Sequence, residues 1–334
     1  MKTKVGINGF GRIGRLFLRA AWANPNIEII QVNDPGGDNT GFAHLLNFDS
    51  VHGQFTFEAI VNSKGFEIDD SLVSCSHNRA IDDTDWSGCD IVVEASGRMR
   101  KSSLLQAYLD QGVDHVVVSA PVKEESVLNV VMGVNDHHFD PKQHPIVTAA
   151  SCTTNCLAPI VKVVSENYGI KHGSMTSIHS VTNTQRILDS HHKDLRRARS
   201  SSASLIPTTT GSASAITAIF PELEGKLNGH AIRIPLSNAS LIDCVFELER
   251  ETNTKEANNT FEQAAKNELD GILGYEERPL VSIDYRTDPR SAVVDAEFTT
   301  VINKTQLKVY AWYDNEWGYA NRVADLVNLV LNNR

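Results

Sequence analysis

Ser151-Cys152-Thr153-Thr154-Asn155 puts a cysteine at the start of an apolar run with helical spacing. A helix N-terminus contributes positive potential, which lowers a thiol's pKa and favours a nucleophilic thiolate. His179 follows one loop's length later, and a histidine brought to the same point can act as general base and pair with the thiolate. A lone cysteine is more often a small buried hydrophobe. Here Ser151, Thr153, Thr154 and Asn155 flank it with hydroxyls and an amide, which a dry core does not use. The expected chemistry is covalent catalysis by Cys152 with His179 as base.

A second constellation lies near the start. Lys4–Asn8 reads as a short apolar strand, Gly9-Phe10-Gly11-Arg12-Ile13-Gly14 follows, and an apolar-periodic helix runs through Ala23. Ile27–Val32 reads as the next strand, and Asp34 lies about 20 residues beyond Gly14. Gly9, Gly11 and Gly14 permit a tight turn and close approach of backbone to a pyrophosphate, which the helix N-terminus binds. Asp34 is placed to accept hydrogen bonds from a ribose, which favours NAD over NADP. The competing reading is a glycine turn in an unrelated α/β protein; the strand before, the helix after and the acid at Asp34 argue against it.

These groups need elements to hold them. Asp90–Ala95 and His115–Ser119 read as buried strands around a helical Ser102–Gln111, so the first half predicts a parallel, doubly wound α/β sheet of Rossmann type. The second half changes pattern. After a helix at Cys152–Tyr168 come strands at Ser174–His179, His230–Pro235, Leu241–Glu249 and Gln306–Tyr313, which suit an α+β domain with a mixed or antiparallel sheet. A boundary is expected near Ala150. Ser180–Pro207 reads as a long polar loop, and such loops are usually functional or disordered. It carries Lys193-Asp194-Leu195-Arg196-Arg197-Ala198-Arg199. With Thr182, Thr208-Thr209-Thr210-Gly211 and Arg233, this gathers Arg and Thr groups suited to phosphate.

At 334 residues, with 41% hydrophobic and 22% charged residues, the chain has an ordinary globular composition and is long enough for about two domains. A net charge of −10 argues against nucleic acid or an acidic membrane as the main partner. No basic-plus-apolar leader precedes Lys4, and no apolar run approaches the roughly 20 residues a membrane span requires. Five cysteines form no paired framework, so a cytoplasmic, reducing location is expected. Cys152 with Cys156, or the adjacent His191 and His192, do not give zinc spacing, and no metal is expected. Cys156 reads as core, His191 and His192 as surface.

The longer motifs resemble one family. Ala150-Ser151-Cys152-Thr153-Thr154-Asn155-Cys156-Leu157-Ala158-Pro159 is similar to the active-site signature of phosphorylating glyceraldehyde-3-phosphate dehydrogenases. So are Ile7–Gly14, His192–Arg199 and Trp312-Tyr313-Asp314-Asn315-Glu316-Trp317-Gly318-Tyr319. The resemblance implies a Rossmann NAD(P)-binding domain at 1–150 and a catalytic domain at 151–314. It implies a C-terminal helix at 315–334 packing back on the first domain, and a homotetramer. It places Thr182 and Arg233 at the C3 phosphate of glyceraldehyde 3-phosphate. It places Ser151, Thr153, Arg197, Thr210 and Gly211 at the attacking inorganic phosphate. Arg12, Ile13, Asp34, Arg79, Ser119 and Asn315 match cofactor contacts.

Asn47–Gly53, Ala120–Glu124 and Asp284–Arg290 further resemble members encoded beside arsenate-resistance transporters, in which arsenate attacks and 1-arseno-3-phosphoglycerate is the product. Two other readings stand beside these: an erythrose-4-phosphate dehydrogenase, which hydrolyses the thioester, and a non-catalytic redox-sensing protein. Thr184 stands where many bacterial members carry aspartate, and Ser190-His191 where strictly NAD-specific members carry Leu-Pro. With Gly36-Gly37, the latter relaxes steric exclusion of NADP. NAD is expected to be preferred and NADP to turn over measurably. The ratio of kcat/KM for the two cofactors checks this, and no turnover with NADP removes its second half.

Overall fold

A computed structural model describes residues 2–334. Two compact units emerge, one of residues up to Ser151 with Ala320–Arg334, the other of Cys152–Tyr319.

The first unit is built on a nine-stranded sheet among the described residues. In spatial order its strands are Leu128–Asn129, Ile146–Thr148, His115–Val118, Ile91–Glu94, Thr3–Asn8, Ile27–Asn33, Ser71–Ser76, Gly65–Ile68 and Ile60–Val61. All pairings are parallel except the two made by Gly65–Ile68. Ile91–Glu94 and His115–Val118 are buried at every position, as central parallel strands are. Thr3–Asn8 is central. The chain builds outward from it to one side and then crosses to Ile91–Glu94 on the other. That reversal opens a crevice beyond the carboxyl ends of these two strands, where open α/β sheets bind ligands.

The second unit holds a seven-stranded mixed sheet in the order Ile206–Thr209, Leu227–Arg233, Ile170–His179, Ser240–Leu248, Gln306–Tyr313, Ala292–Ile302, Leu273–Glu276. Ile170–His179 pairs parallel with Leu227–Arg233, and the register sets His179 opposite Arg233. The helix Cys152–Tyr168 is buried around most of its circumference, with Thr153, Thr154 and Asn155 buried among its apolar residues.

Cys152–Tyr168 and Gln306–Tyr313 have the expected limits. Other elements differ. The strand ending at His179 begins at Ile170, because Lys171 and His172 are exposed strand positions that the apolar pattern hides. Ser180–Pro207 is mostly turns, closed by a bridge between Arg186 and Ser200, but Ile206–Thr209 is a strand. The hairpin strands between Ile60 and Ser76, with their exposed and partly polar faces, were not legible as a sheet edge. The final helix is Trp317–Asn332, and Ala320–Arg334 groups with the first unit.

Glycine is forced at two points of the first turn. Gly9 has φ +94°, and a Cβ there would lie 2.3 Å from the Ser96 nitrogen. A Cβ on Gly14 would lie 2.0 Å from the Gly9 carbonyl oxygen. Gly14→Ala is therefore expected to destabilise the protein by about 1–3 kcal/mol through a backbone collision that no rotamer relieves. A urea-denaturation midpoint measures it; an unchanged midpoint would refute the packing.

Candidate active site

Cys152 opens its helix and stays partly exposed, while Cys75, Cys89, Cys156 and Cys244 are also free thiols. Its Sγ lies 3.6 Å from His179 Nε2. His179 is 4% exposed, at the end of its strand. His179 Nδ1 is 2.7 Å from the Ser180 carbonyl, to which it can donate, leaving the Nε2 lone pair facing the sulfur. Arg233 Nη1 donates to the same carbonyl at 3.2 Å and lies 2.5 Å from Nδ1; with Nδ1 protonated, that second approach sets the guanidinium charge against the ring rather than a hydrogen bond. The imidazole is thus clamped on the side away from the thiol.

The electrostatics depart from the simple expectation for a thiol at a helix N-terminus. Burial pushes the Cys152 thiol up, with the Arg233 charge and Thr153 hydrogen bonds opposing it, and the net direction is upward. Burial and then the Arg233 charge hold His179 down at about 3, against the Ser180 hydrogen bond. Beside a neutral thiol, His179 is therefore a neutral base. Removing the thiol proton sets a negative charge next to Nε2, so the two groups titrate as a pair. The nearest permanent positive charge for the thiolate is Arg233, not an imidazolium.

Behind this pair lies a polar group that sequence reasoning missed. Tyr313 OH, in a residue 2% exposed, is 2.9 Å from Thr153 Oγ1 and 3.0 Å from Ser177 Oγ. The Tyr313 ring meets His179 edge-on at 6.0 Å. Its place in the Trp312–Tyr319 motif was the available signal. Ser180 Oγ donates to Asn315 Oδ1 at 2.8 Å, and Ser240 Oγ donates to the same atom at 3.0 Å. The Asn315 oxygen is thereby fixed against the strand that carries His179.

The anion-site candidates fall in two groups. Thr182 Oγ1 donates to Gln185 Oε1 at 2.7 Å and is 3.0 Å from Thr184 Oγ1. Arg197 Nε donates to Thr208 Oγ1 at 2.8 Å, and its Nη2 to the Thr209 carbonyl at 3.3 Å. Thr210 and Gly211 precede the helix Ser212–Ile219, with Gly211 as its N-cap. The Arg197 charge lowers Arg233's pKa after burial, so the two cations share one field. Ser151 immediately precedes the helix and is partly buried.

In the first unit, Asp34 closes the glycine turn. Its Oδ2 accepts from Phe10 N–H at 2.8 Å and its Oδ1 from Gly36 N–H at 2.7 Å. Gly11 is the N-cap of the helix Arg12–Ala21, with no side-chain cap. A Cβ at Gly11 would meet nothing within 4 Å, so the protein's own packing does not require glycine there. A ligand lying on the loop does, and a dinucleotide fits this cradle. Arg12 is paired with Asp49; burial pushes the Asp49 carboxyl up, but Arg12 and the Val51 and His52 amides bring it down to about 2. Ile13 is partly buried in the first turn, Ser119 N–H donates to the Glu94 carbonyl at 2.9 Å, and Arg79 is exposed. Among the described residues, no group of three His, Cys, Asp or Glu side chains is placed to hold a metal.

A dinucleotide-type sheet and a cysteine–histidine pair are the features of one class, the nicotinamide-dependent oxidoreductases. Residues 3–102 match the family described as Glyceraldehyde 3-phosphate dehydrogenase, NAD binding domain. Residues 151–315 match the corresponding C-terminal domain. The chain is 56% identical over 333 residues to glyceraldehyde-3-phosphate dehydrogenase 3 of a Nostoc species, covering 99% of this chain and 98% of that one. It is 50% identical over 328 residues to glyceraldehyde-3-phosphate dehydrogenase of Geobacillus stearothermophilus, covering 98% and 97%. It is 47% identical over 328 residues to glyceraldehyde-3-phosphate dehydrogenase 1 of Bacillus subtilis, with the same coverages. The chain belongs to the glyceraldehyde-3-phosphate dehydrogenase family.

Arg233 lowers both Cys152 and His179, so Arg233→Gln is expected to raise both pKa values. The pH profile of Cys152 alkylation by iodoacetamide should move to higher pH, because the thiolate is the reactive form. A profile that stays in place, or moves to lower pH, contradicts the assigned field.

Proposed function

We propose that this protein is an NAD-dependent phosphorylating glyceraldehyde-3-phosphate dehydrogenase working through a thioester on Cys152. The observation that carries the mechanism is the 3.6 Å approach of His179 Nε2 to Cys152 Sγ, with the histidine held neutral. His179 Nε2 takes the Cys152 thiol proton as the sulfur adds to the substrate aldehyde carbon, and returns it to the aldehyde oxygen, giving a thiohemiacetal. His179 Nε2 takes the hydroxyl proton as the carbon–hydrogen bond breaks, leaving the thioester. NAD, when bound, accepts the hydride. An oxygen of inorganic phosphate then attacks the thioester carbon, and the Cys152 thiolate departs. The product is 1,3-bisphosphoglycerate, with the oxidation energy kept in the acyl phosphate rather than lost to water.

In this reading Arg233 and Thr182 hold the C3 phosphate. Ser151, Thr153, Arg197, Thr210 and Gly211 hold the attacking ion. Gly9, Gly11, Arg12, Ile13, Gly14, Asp34, Arg79 and Ser119 hold the cofactor, with Asn315 on its nicotinamide amide. Residues 1–150 form the cofactor domain, 151–314 the catalytic domain, and 315–334 a helix belonging with the first. The assembly is a homotetramer in the cytoplasm; no helix among the described residues is long and apolar enough to cross a membrane. Arsenate matches phosphate in shape and charge, so the same ion site also supports 1-arseno-3-phosphoglycerate.

Steady-state turnover of glyceraldehyde 3-phosphate with NAD, run with phosphate, with arsenate and with neither, tests the reading. Turnover should require an oxyanion, and Cys152→Ser should lose roughly 10⁴-fold or more in kcat, the scale seen when a nucleophile is removed, while still binding NAD. Product formation independent of any oxyanion favours thioester hydrolysis and the erythrose-4-phosphate reading. Retained activity in Cys152→Ser refutes the nucleophile.

A further inference from the structure

Four adjacent parallel strands of the first unit end in polar residues: Glu94, Asn8, Asn33 and Ser76. The register pairs Asn8 with Glu94 and with Asn33, and Asn33 with Ser76. They form one row across the carboxyl edge of the sheet. Glu94, Asn33 and Asn8 are 1%, 2% and 6% exposed, so each side-chain group must find a partner inside.

The partners form a single directed chain. Asn78 N–H donates to Asn33 Oδ1 at 2.9 Å, and Asn33 Nδ2 donates back to the Asn78 carbonyl at 3.0 Å. A backbone amide cannot change roles, so these two bonds fix which way the Asn33 amide faces. Ser76 Oγ donates to the same Oδ1 at 2.9 Å. Asn33 Nδ2 then donates to Asn8 Oδ1 at 2.8 Å, which fixes the Asn8 amide. Asn8 Nδ2 donates to Glu94 Oε2 at 2.8 Å. On the far side, Ser96 N–H donates to Glu94 Oε1 at 2.8 Å. Position 94 therefore faces a donor that cannot turn on each of its two oxygens. A carboxylate satisfies both; an amide must set its NH₂ against one of them. Tyr108 OH and Ser96 Oγ complete the carboxylate's shell at 2.7 Å and 2.5 Å.

Each row residue also anchors the next loop through its backbone. The carbonyls of Ser76, Asn33, Asn8 and Glu94 accept from the N–H groups of Asp34, Gly9, Ala95 and Ser119. Three of these loops, those of Gly9, Asp34 and Ser119, are assigned above to the cofactor, and the inference rests on that reading; the fourth, at Ala95–Ser96, packs against the glycine turn, where a Cβ on Gly9 would lie 2.3 Å from the Ser96 nitrogen. We propose that the Glu94–Asn8–Asn33–Ser76 row is a positioning device for NAD. Its one-way chain of side-chain hydrogen bonds, ending on Glu94, fixes the glycine turn, the Asp34 turn and the Ala95–Ser96 loop relative to one another. None of the four acts on the substrate; they set the spacing of the backbone that meets the dinucleotide.

The test is NAD affinity by titration calorimetry on the full chain, with Cys152 alkylation in the absence of NAD as a readout of the second unit. Glu94→Gln should raise the Kd for NAD about tenfold or more, the scale of a lost hydrogen bond to a charged group, with the alkylation rate unchanged. Adding Asn8→Asp returns a carboxylate to the row: the new amide at position 94 donates to the new carboxylate at position 8, which still accepts from Asn33. That double variant should bind NAD within about threefold of the parent. Loss of packing alone predicts no such rescue. Ser76→Ala, at the partly exposed end, removes one donor without reversing the chain, and should weaken NAD about two- to fivefold. If Glu94→Gln does not fold, the double variant and Ser76→Ala decide the matter. An unchanged Kd in Glu94→Gln or in Ser76→Ala, or a double variant no better than Glu94→Gln alone, overturns the proposal. A parent chain that does not bind NAD overturns the cofactor reading, and the proposal falls with it.

Discussion

The second unit is organised around one partly buried cation, Arg233. Arg233 lies against His179 Nδ1 and the Ser180 carbonyl, with the Cys152 thiol on the other face of the ring. Burial and this guanidinium together keep the imidazole neutral, and the guanidinium supplies the positive charge that a thiolate needs. Both effects depend on distance and low polarity, and so on the sheet. The parallel pairing of Ile170–His179 with Leu227–Arg233 puts the two side chains in register at the strand ends. A slip of one residue would send one of them to the opposite face. The long mixed sheet is thus what holds one cation and one base at a fixed separation.

The first unit solves a different problem with backbone alone. Its sheet reverses its building direction at Thr3–Asn8, and the loops after that strand and its neighbours crowd together. Side chains would fill the space, so Gly9 and Gly14 are excluded from bearing one by collisions with backbone. Gly11 differs, since a Cβ there would meet nothing within 4 Å. Asp34 binds the Phe10 and Gly36 amides with its two oxygens and so ties two turns together.

Much of this was legible from residue order. Cys152 and its helix, the glycine turn and Asp34 are local patterns, and local patterns survive translation into structure. The Arg233–His179 clamp was not legible, because it joins two strands through a register that no short stretch encodes. Burial, which no short stretch encodes either, raises the thiol against what the helix N-terminus alone suggests, and burial together with the Arg233 charge keeps the histidine neutral. Tyr313 was hidden for a related reason: its hydroxyl partners, Thr153 and Ser177, come from distant elements. The hairpin at Ile60–Ser76 was hidden because Ile60, Val61 and Leu72 are exposed, which blurs the alternation that marks a strand.

The row at the sheet edge has a consequence for how such a sequence can change over generations. Glu94 and Asn8 are separated by 86 positions, yet Glu94 cannot become an amide alone without setting two donors face to face, nor Asn8 a carboxylate alone without setting two acceptors face to face. Passing from one arrangement to the other requires crossing an intermediate that binds its dinucleotide poorly. Drift at either position is therefore conditional on the state of the other. The strand ends are inherited as a set, and a lineage that once adopts one polarity is held in it by the physics of unpaired donors rather than by any contact with substrate.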